Sequence, residues 1–525
     1  MSVSPRLEHP PAESFDLRSI AAGDGGPKWV KVIDQTKCIG CHACTTACKQ
    51  ENEVPLSVTR TYVKAVDVGV FPQARRAFQV TRCNQCEDAP CVTACPTSAM
   101  FKRPDGIIDF DKSICIGCKA CMAACPYDAI FINPEDHSAE KCNFCSHRID
   151  AGLEPACVVV CPVEAILVGD LHDPASKVAQ IVQREPVSVR RPEKETRPKL
   201  FYKGAHQATL DPLAARRPVG GLFMWSEQGN VKQQVTSGAP APWNSSAAAL
   251  LSYDVPHRAP WDWRVGLYTW TKSIAAGAYL AALLLTLAGL VSWSSALWLW
   301  TAPLLAAGFL GATGAILIWD LEHPLRFPLI FLRPQFKSWL VRGAFVIAGY
   351  SSVVGLHVLL GLAGFEEPQR WLAVGGAPLA VMAAVYTGYL FAQAKARDLW
   401  QSPLLPPHLL VQAFLAGSAV LLPFAHWLDD EAIEPLGWML GMAALVHLLL
   451  VLGEITLTHP TAHAHLAVLE LTRGRYGTPF WISLVLVAGA ATAPIAGLAA
   501  VPLALVGLLL YEHAYVQAGQ RVPLA

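Results

Sequence analysis

Residues 118–130 read CKACMAACPYDAI and contain three closely spaced cysteines, the last of which precedes a proline. With Cys115 they form a group whose cysteines are separated by two, two and three residues. A loop with these spacings can curl around a cubane so that three thiolates bind one iron–sulfur cluster. The fourth thiolate, next to the proline, then points to a neighbouring cluster. The stretch therefore predicts a fold built around [4Fe–4S] clusters.

All sixteen cysteines of the 525-residue chain lie in four such groups within its first third. The groups are Cys38, Cys41, Cys44 and Cys48; Cys83, Cys86, Cys91 and Cys95; Cys115, Cys118, Cys121 and Cys125; and Cys142, Cys145, Cys157 and Cys161. Proline follows the last cysteine of three groups, and Lys49 follows the last cysteine of the first group. Sixteen ligands predict four [4Fe–4S] clusters in two ferredoxin-like pairs.

Zinc and disulfides are the alternative uses of these cysteines. Zinc ribbons contain paired CxxC units, but they need neither the third and fourth cysteines at these spacings nor the proline. Disulfides are typical of exported proteins. The N-terminal stretch MSVSPRLEHPPAESFDL has neither the apolar core of a secretory signal nor a twin-arginine pair. Iron–sulfur ligation is therefore favoured over both.

The four groups, over about residues 28–205, resemble those of the four-cluster electron-transfer subunits of the molybdopterin (DMSO reductase) superfamily. The resemblance implies four ligand sets, numbered here from the catalytic partner toward the membrane. Site 1 is Cys38, Cys41, Cys44 and Cys161; site 2 is Cys48, Cys142, Cys145 and Cys157; site 3 is Cys83, Cys86, Cys91 and Cys125; site 4 is Cys95, Cys115, Cys118 and Cys121. Because Cys118 is present, four irons are expected at every site.

The chain divides into three regions by composition. We predict an α+β ferredoxin-like iron–sulfur domain over residues 1–185 and an extended linker or partner-binding tail over residues 186–260. An all-α polytopic membrane domain is predicted over residues 261–525. About eight apolar segments there are each long enough to cross a hydrocarbon core of ~30 Å. They are residues 267–291, 297–319, 339–362, 371–393, 407–428, 436–457, 479–497 and 499–517.

The charges between the apolar segments predict the orientation of the chain. One side carries nine bases, which are Arg326, Arg333, Lys337, Arg342, Lys395, Arg397, Arg473, Arg475 and Arg521. The other side carries one base, Arg370, among six acidic residues. The excess of bases predicts an inner (cytoplasmic) membrane protein with its iron–sulfur domain on the cytoplasmic side. A net charge of zero gives no indication of nucleic-acid binding.

The membrane half, over about residues 260–520, resembles the NrfD/polysulfide-reductase type of quinone-reactive subunit. The stretches that carry this resemblance are YTWTKSIAAGAYL, DLEHPLRF with SWLVRGAF, and LTRGRYGTPFW. Glu322 departs from the pattern, because glycine is common at that position. The resemblance implies that a quinone, menaquinone or ubiquinone, binds at the membrane edge under the last cluster, and that haem is absent.

Ionisable and phenolic side chains in the apolar segments are candidates for quinone and proton chemistry. The candidate quinone-site residues are Lys272, Asp320, His323, Arg326 and Tyr389, with Tyr386 as a further possible donor. Snorkelling of Lys272, a helix-terminal salt bridge at Asp320 and ordinary packing of the tyrosines are the alternatives. His447 and Glu454, two turns apart on one predicted helix, are a candidate proton path or an interhelical hydrogen bond.

Two further histidine patterns are given no cofactor. His357 and His426 lie at similar predicted depth and could ligate haem, but an anchor with two haems would need more ligands. The tract HPTAHAH, residues 459–465, resembles a metal tract. We interpret it as polar surface in a loop.

Together the two halves predict the electron-transfer and membrane-anchor subunit of a quinone-linked oxidoreductase. Its substrate-converting site would lie on another chain, a large molybdenum or tungsten bis-pterin subunit of the formate- or sulfite-dehydrogenase type. Alternatives are a subunit of a larger respiratory assembly that oxidises quinol, similar to alternative complex III, and a proton-translocating module. A non-catalytic anchor is disfavoured because all sixteen cysteines are present.

Overall fold

The computed structural model describes residues 26–217 and 248–525. These residues form a mixed α/β lobe that contains all the cysteines, here the iron–sulfur lobe, and a helical lobe from Trp263 onward, here the membrane lobe. The predicted fold class is confirmed. The predictions for the N-terminal stretch, residues 1–17, and for residues 218–247 of the linker lie outside the described residues.

Short strands form the frame of the iron–sulfur lobe. They are β1 (Trp29–Asp34), β2 (Thr61–Val68), β3 (Arg75–Arg82), β4 (Met100–Lys102), β5 (Ile108–Phe110), β6 (Ile130–Ile132), β7 (Ala139–Lys141), β8 (Ile166–Asp170), β9 (Val187–Ser188), β10 (Leu200–Lys203) and β11 (Ala249–Tyr253). One sheet has the order β8-β1-β10-β9, with β1 antiparallel to β8 and parallel to β10. A second sheet has the order β11-β2-β3, and β4-β5 and β6-β7 are hairpins.

The third cysteine of every group lies in a short helix. The helices of this lobe are α1 (Ala43–Glu51), α2 (Pro90–Ala94), α3 (Ala120–Ala124), α4 (Ser146–Asp150), α5 (Ala156–Val159), α6 (Lys177–Arg184) and α7 (Gln207–Leu210). Cys44, Cys91, Cys121 and Cys157 lie in α1, α2, α3 and α5. A single turn of helix separates the third cysteine from the fourth, which lets the fourth reach a different site.

Both ends of the predicted linker contain strands, which differs from the extended segment expected there. Residues 187–203 contribute β9 and β10 to the sheet beside β1, and β11 pairs with β2. Leu200 and Tyr202 alternate into the core and are buried against Ile33. Their partner strand lies almost the whole lobe away in sequence, so the local composition gives no sign of the pairing. The domain boundaries themselves remain a prediction.

The membrane lobe is built from long apolar helices. They are α8 (Trp263–Leu287), α9 (Ala302–Trp319), α11 (Trp339–Leu362), α12 (Glu366–Gln393), α13 (Leu405–Leu428), α14 (Ile433–Thr456) and α18 (Ala500–Arg521), and the shorter helices are α10 (Leu329–Leu332), α15 (Ala462–Thr472), α16 (Gly477–Ala490) and α17 (Ala493–Ala496). Among the described residues, seven helices are long and apolar enough to cross a membrane. This is close to the expected eight, because α16 has only 14 residues and the turn at Gly497 follows.

Helix α8 lies at the centre of the membrane lobe, and its closest neighbour is α13. A Cβ atom on Gly277 of α8 would lie 1.7 Å from the carbonyl oxygen of Ala413, and one on Gly417 of α13 would lie 2.0 Å from the carbonyl carbon of Gly277. The two backbones therefore touch, as small residues allow in membrane helices. This contact holds α8, which carries Lys272, inside the bundle.

Candidate functional site

The sixteen cysteines, all free thiols, gather into the four sets that the resemblance implies. The four cysteines of site 1 line one pocket, and the four of site 4 line another. At site 2, the thiol of Cys48 interacts electrostatically with Cys142, Cys157 and Cys145. At site 3, Cys91 interacts with Cys83, Cys125 and Cys86. Their roles as ligands remain a prediction, which this grouping supports.

A single zinc ion is the alternative occupant of each set. Among the described residues, no three cysteine, histidine or carboxylate side chains converge closely enough to hold one metal ion. A tetrahedral zinc site needs such convergence, since its Zn–S bonds are ~2.3 Å long. A four-iron cubane instead attaches each thiolate to a different metal atom. The metal bound at the four sets remains a prediction.

Burial raises the pKa of several of these thiols and makes them poor acids until a metal binds them. Burial raises the pKa of Cys48 to about 12, and the neighbouring thiols of Cys142, Cys157 and Cys145 act in the same direction. Burial likewise raises the pKa of Cys86 at site 3 to about 12. The thiolate is the form that ligates metal. A buried set of four thiols therefore fits a group that supplies several positive charges.

Cys157 of site 2 is an exception among the buried thiols. Burial raises its pKa, but the positive charges of Arg82 and Lys31 outweigh burial and bring the pKa below its ordinary value. Nη1 of Arg82 donates a hydrogen bond to Sγ of Cys157 over 2.9 Å, and Nζ of Lys31 lies 4.0 Å from the same atom. Site 2 therefore has two buried cations beside one ligand.

The loops around the sites have the backbone conformation that the cysteine spacing requires. Gly40 and Gly117 of the two CIGC stretches have φ angles of 70° and 69°, which favour glycine. Backbone amides donate to cysteine sulfurs at three sites, from Gln85 to Cys83 (3.5 Å), Met100 to Cys95 (3.3 Å), Ala139 to Cys115 (3.4 Å) and Ala165 to Cys161 (3.2 Å). Such donors stabilise a negatively charged sulfur ligand.

The loop of site 4 contacts the membrane lobe directly. Nη1 of Arg326 donates to the carbonyl oxygens of Lys112 and Cys115, each over 2.9 Å. Nζ of Lys119 lies 3.0 Å from a carboxylate oxygen of Glu322, where the resemblance expected glycine. Arg326, a candidate quinone-site residue, thus holds the cluster loop in place.

Asp320 and His323, two more quinone-site candidates, lie at the same contact. Carboxylate Oδ1 of Asp320 is 3.7 Å from both Nζ of Lys119 and Nε of Arg264. Burial raises the pKa of Asp320 to about 6, against the opposing effect of Lys119. His323 packs edge-on to His137, with ring centroids 6.4 Å apart. The salt-bridge alternative for Asp320 is thus realised, beside site 4.

Lys272 is buried in the middle of the helical bundle. Its Nζ donates to the carbonyl oxygen of Ala384 over 2.5 Å and lies 5.2 Å from the ring centroid of Tyr386. Glu512 of α18 lies within electrostatic range, and it accepts a hydrogen bond from Thr269 over 2.9 Å. Lys272 therefore does not snorkel to the interface, and it shares its surroundings with a buried carboxyl group.

The remaining quinone candidate, Tyr389, and the proton-path pair lie elsewhere in the bundle. Tyr389 is 38% exposed and stacks on Trp339, with centroids 4.5 Å apart. His447 is buried, and its Nδ1 lies 2.8 Å from Nε2 of His408 on α13. His447 therefore has a hydrogen-bond partner on a neighbouring helix, and its role with Glu454 remains a prediction. Glu454 lies within electrostatic range of Tyr511, whose ring packs 4.7 Å from that of His447.

The histidines for which no cofactor was predicted have hydrogen-bond partners close by or lie in a helix. Nδ1 of His357 lies 2.9 Å from the hydroxyl of Tyr279, and Nδ1 of His426 lies 3.2 Å from the carbonyl oxygen of Leu422. The interpretation of residues 459–465 as polar surface is wrong for His463, which is buried. The tract opens helix α15, whose buried side chains include those of Leu466 and Leu471. Helix formation carries His463 to the inner face.

Comparison with known proteins places both halves of the chain. Residues 29–50 match a 4Fe-4S binding domain, residues 74–171 a 4Fe-4S dicluster domain, and residues 253–503 the polysulphide reductase NrfD family. One subunit of the tetrathionate reductase of Salmonella typhimurium is 42% identical, over 37% of this chain and 80% of that protein. One component of the polysulfide reductase of Wolinella succinogenes is 41% identical, over 33% of this chain and 93% of that protein. The iron–sulfur subunit ArrB of a Shewanella arsenate respiratory reductase is 37% identical, over 33% of this chain and 94% of that protein.

The chain is a fusion of two families. Its first part belongs with the iron–sulfur subunits of these reductases, and its second with the NrfD membrane subunits. The family assignment predicted from the cysteine groups and the membrane stretches is therefore confirmed. An iron–sulfur subunit of a reductase complex is an electron-transfer component, and this fusion joins it covalently to a membrane domain.

Glu512 and His408 are two of the buried polar residues of the membrane lobe that sequence reasoning missed. Glu512 lies in the last apolar segment, and the rule that flags ionisable groups in membrane helices applies to it. His408 lies at the start of α13, where its predicted position near the interface made it unremarkable. Each becomes informative only through its neighbour on another helix, Lys272 for Glu512 and His447 for His408.

Proposed function

We propose that this chain carries electrons between a separate catalytic subunit and the membrane quinone pool, and that it anchors the catalytic subunit to the membrane. The catalytic subunit would hold a molybdenum or tungsten bis-pterin centre. The observation that carries the proposal is the contact of the site 4 loop with the membrane lobe through Trp261, Arg326 and Glu322. When bound, the clusters would pass one electron at a time along the lobe.

The surface around site 1 supports a docking position for the catalytic subunit. Cys41 of site 1 is exposed, and the neighbouring side chains Ile39 and Val160 are 56% and 38% exposed. An apolar rim around an exposed ligand is typical of a surface that a partner covers. Electrons would therefore cross the partner boundary at site 1 and the membrane boundary at site 4.

The polar groups near α8 support a quinone site in the membrane lobe. Reducing a quinone takes two electrons and two protons. Lys272 and Glu512 can each hold a proton, at Nζ and at a carboxylate oxygen, inside the bundle. Asp320, whose pKa of about 6 lies close to neutral, can exchange protons at the lobe contact. We propose these three residues as the proton-handling side of the quinone site.

His447 and Glu454 are proposed as a proton path within this function. The contact of His447 with His408 and Tyr511 supports the proposal, since hydrogen-bonded polar side chains in membrane helices often mark proton relays. Glu454→Gln is then expected to abolish any electrical response beyond that of quinone chemistry, while electron transfer to quinone survives. Unchanged charge movement in proteoliposomes would remove Glu454 from the path.

The direction of electron flow has two candidates. The excess of bases on the side of the iron–sulfur lobe supports a cytoplasmic position, which suits oxidation of formate or sulfite. The relatives are named for the reduction of tetrathionate, polysulfide and arsenate, which favours flow from quinol to a reductase. Protease access to the iron–sulfur lobe in oriented inner-membrane vesicles tests the sidedness on which the first candidate depends.

Gentle-detergent purification under anaerobic conditions tests the proposed function as a whole. We expect co-purification of a large subunit that contains molybdenum or tungsten, about sixteen irons per chain, and reduction of a quinone analogue by dithionite-reduced protein. An iron content well below this value would overturn the four clusters. Full iron without quinone reduction would overturn the membrane site.

A further inference from the structure

We infer that Arg82 raises the reduction potential of the cluster at site 2. The inference rests on the proposed cluster ligation. Arg82 ends strand β3 and is 1% exposed, so its charge lies in the interior of the lobe. Its Nη1 donates to Sγ of Cys157 over 2.9 Å, which is a charge-assisted hydrogen bond to a cluster ligand.

The rest of the guanidinium also fits a negatively charged group at site 2. Nε and Nη2 of Arg82 are buried and have no hydrogen-bond partner in the described part of the chain. No carboxylate among the described residues pairs with Arg82 within 4.0 Å. Its strongest electrostatic partners are the thiols of Cys157, Cys142 and Cys44. Because arginine stays charged, two unpaired donors and a buried cation require an acceptor here, and sulfides of a cluster would provide one.

A second cation reinforces the effect at the same ligand. Lys31 on strand β1 is 2% exposed, and its Nζ lies 4.0 Å from Sγ of Cys157 and 4.0 Å from the ring centroid of Phe144. Site 4 has a different surrounding, since Asp320 is among the charged groups that act on Cys118. Asp320 is itself 3.7 Å from Lys119 and from Arg264, whereas the two cations of site 2 both lie at the same cysteine.

The direction of the effect follows from the charge of the cluster. Reduction adds one electron and forms or breaks no bond, so the bound cluster and its thiolates become more negative by one charge. A buried cation with a hydrogen bond to a ligand stabilises this more negative form. The potential at site 2 is therefore higher than it would be without Arg82 and Lys31.

A redox titration of the full chain, followed by electron paramagnetic resonance, tests the inference. In Arg82→Gln we expect unchanged iron content and one transition moved to lower potential. The equilibrium constant for one-electron reduction of this cluster should fall at least tenfold, which corresponds to a shift in potential of about 59 mV. Arg76→Gln is the matched control, because Arg76 is on the same strand but is exposed and pairs with Asp67 over 2.6 Å. No transition should move in the control.

Two more variants keep the inference testable if Arg82→Gln loses a cluster. Lys31→Gln should lower the same transition, and Arg82→Lys, which keeps the charge, should lower it less than Arg82→Gln. The role of these cations would be overturned if Arg82→Gln showed four transitions at the wild-type potentials. If Arg82→Gln loses a cluster, the same result in Lys31→Gln would overturn it. Wild-type protein without four clusters would instead overturn the proposed function.

Discussion

The indole Nε1 of Trp261 donates a hydrogen bond to the carbonyl oxygen of Cys118 over 3.2 Å. The same indole stacks against Phe391 and Trp400, with centroids 5.8 and 5.5 Å away, and the backbone nitrogen of Trp261 donates to Oε1 of Gln520 over 2.9 Å. A loop that carries a cysteine of site 4 is thereby connected to three separate parts of the membrane lobe. The distance from site 4 to the bundle is fixed by packing of rigid side chains.

The first prediction concerns the clamp at Arg326. Arg326→Gln removes two hydrogen bonds from a charged donor, each of which contributes about 1.5–3 kcal/mol. The site 4 loop should then loosen, and we expect faster loss of one cluster and at least tenfold slower quinone reduction. Anaerobic iron content over time and quinone reduction by dithionite-reduced protein measure the two effects.

Arg333→Gln serves as the control for Arg326, because Arg333 is exposed and follows in the same connection. It should behave as the wild type in both measurements. If Arg326→Gln kept all its iron and its full rate, the clamp would not position site 4.

The second prediction is a loss of stability at high pH through His257. Burial lowers the pKa of His257, but Asp254 and Asp128 outweigh burial and raise it to about 9. Nδ1 of His257 is 2.5 Å from a carboxylate oxygen of Asp128, in the loop after Cys125, and Nε2 is 3.2 Å from Asp254. This charged group therefore links the site 3 loop to the segment that enters the membrane.

The raised pKa determines the pH range of the effect. The unfolded imidazole has a pKa near 6.5, so the stabilising charge is fully present below that pH. The stabilisation decreases as the pH rises through about 9, and its full size is on the order of 3 kcal/mol. In His257→Gln the melting temperature should depend less on pH between pH 6 and 10 than in the wild type. His147→Gln, which changes an exposed pair with Glu51, should keep the wild-type pH dependence. A wild-type melting temperature that is constant over this range would contradict the prediction.

The groups of candidate ligands were predicted from local patterns in the sequence. The features that were not predicted depend on contacts between residues that are far apart in the chain. The x2, x2, x3 spacing of Cys115 to Cys125 is a property of one loop, so its chemistry is visible without the fold. The pairing of Leu200 with β1 joins residues far apart in the chain, and no local period marks it. The environments of Lys272 and Arg82 are also made by distant residues, Glu512 and Cys157, which only the folded chain brings near.

The third prediction concerns Lys272 and Glu512. Lys272→Met removes the buried cation that lies within electrostatic range of Glu512, and loss of a compensating charge beside a buried carboxyl group is destabilising. We expect quinone reduction to fall at least tenfold, with the cluster spectra unchanged, and a lower melting temperature. The double variant Lys272→Met, Glu512→Gln should regain stability but not the rate. Recovery of both stability and rate in the double variant would show that the pair is structural. Lys337→Met, at an exposed lysine, is the control.

The fourth prediction tests the contact that holds α8 in the bundle. Gly277→Ala places a methyl group where a Cβ atom would lie 1.7 Å from the carbonyl oxygen of Ala413, so α8 and α13 must separate. Separation also displaces Lys272 on the same helix, and we expect a lower melting temperature together with slower quinone reduction. Gly308→Ala in α9 is the control, since a Cβ atom there meets nothing within 4 Å. Equal stability of the two variants in the same detergent would mean that the backbone contact between α8 and α13 does not fix the position of Lys272.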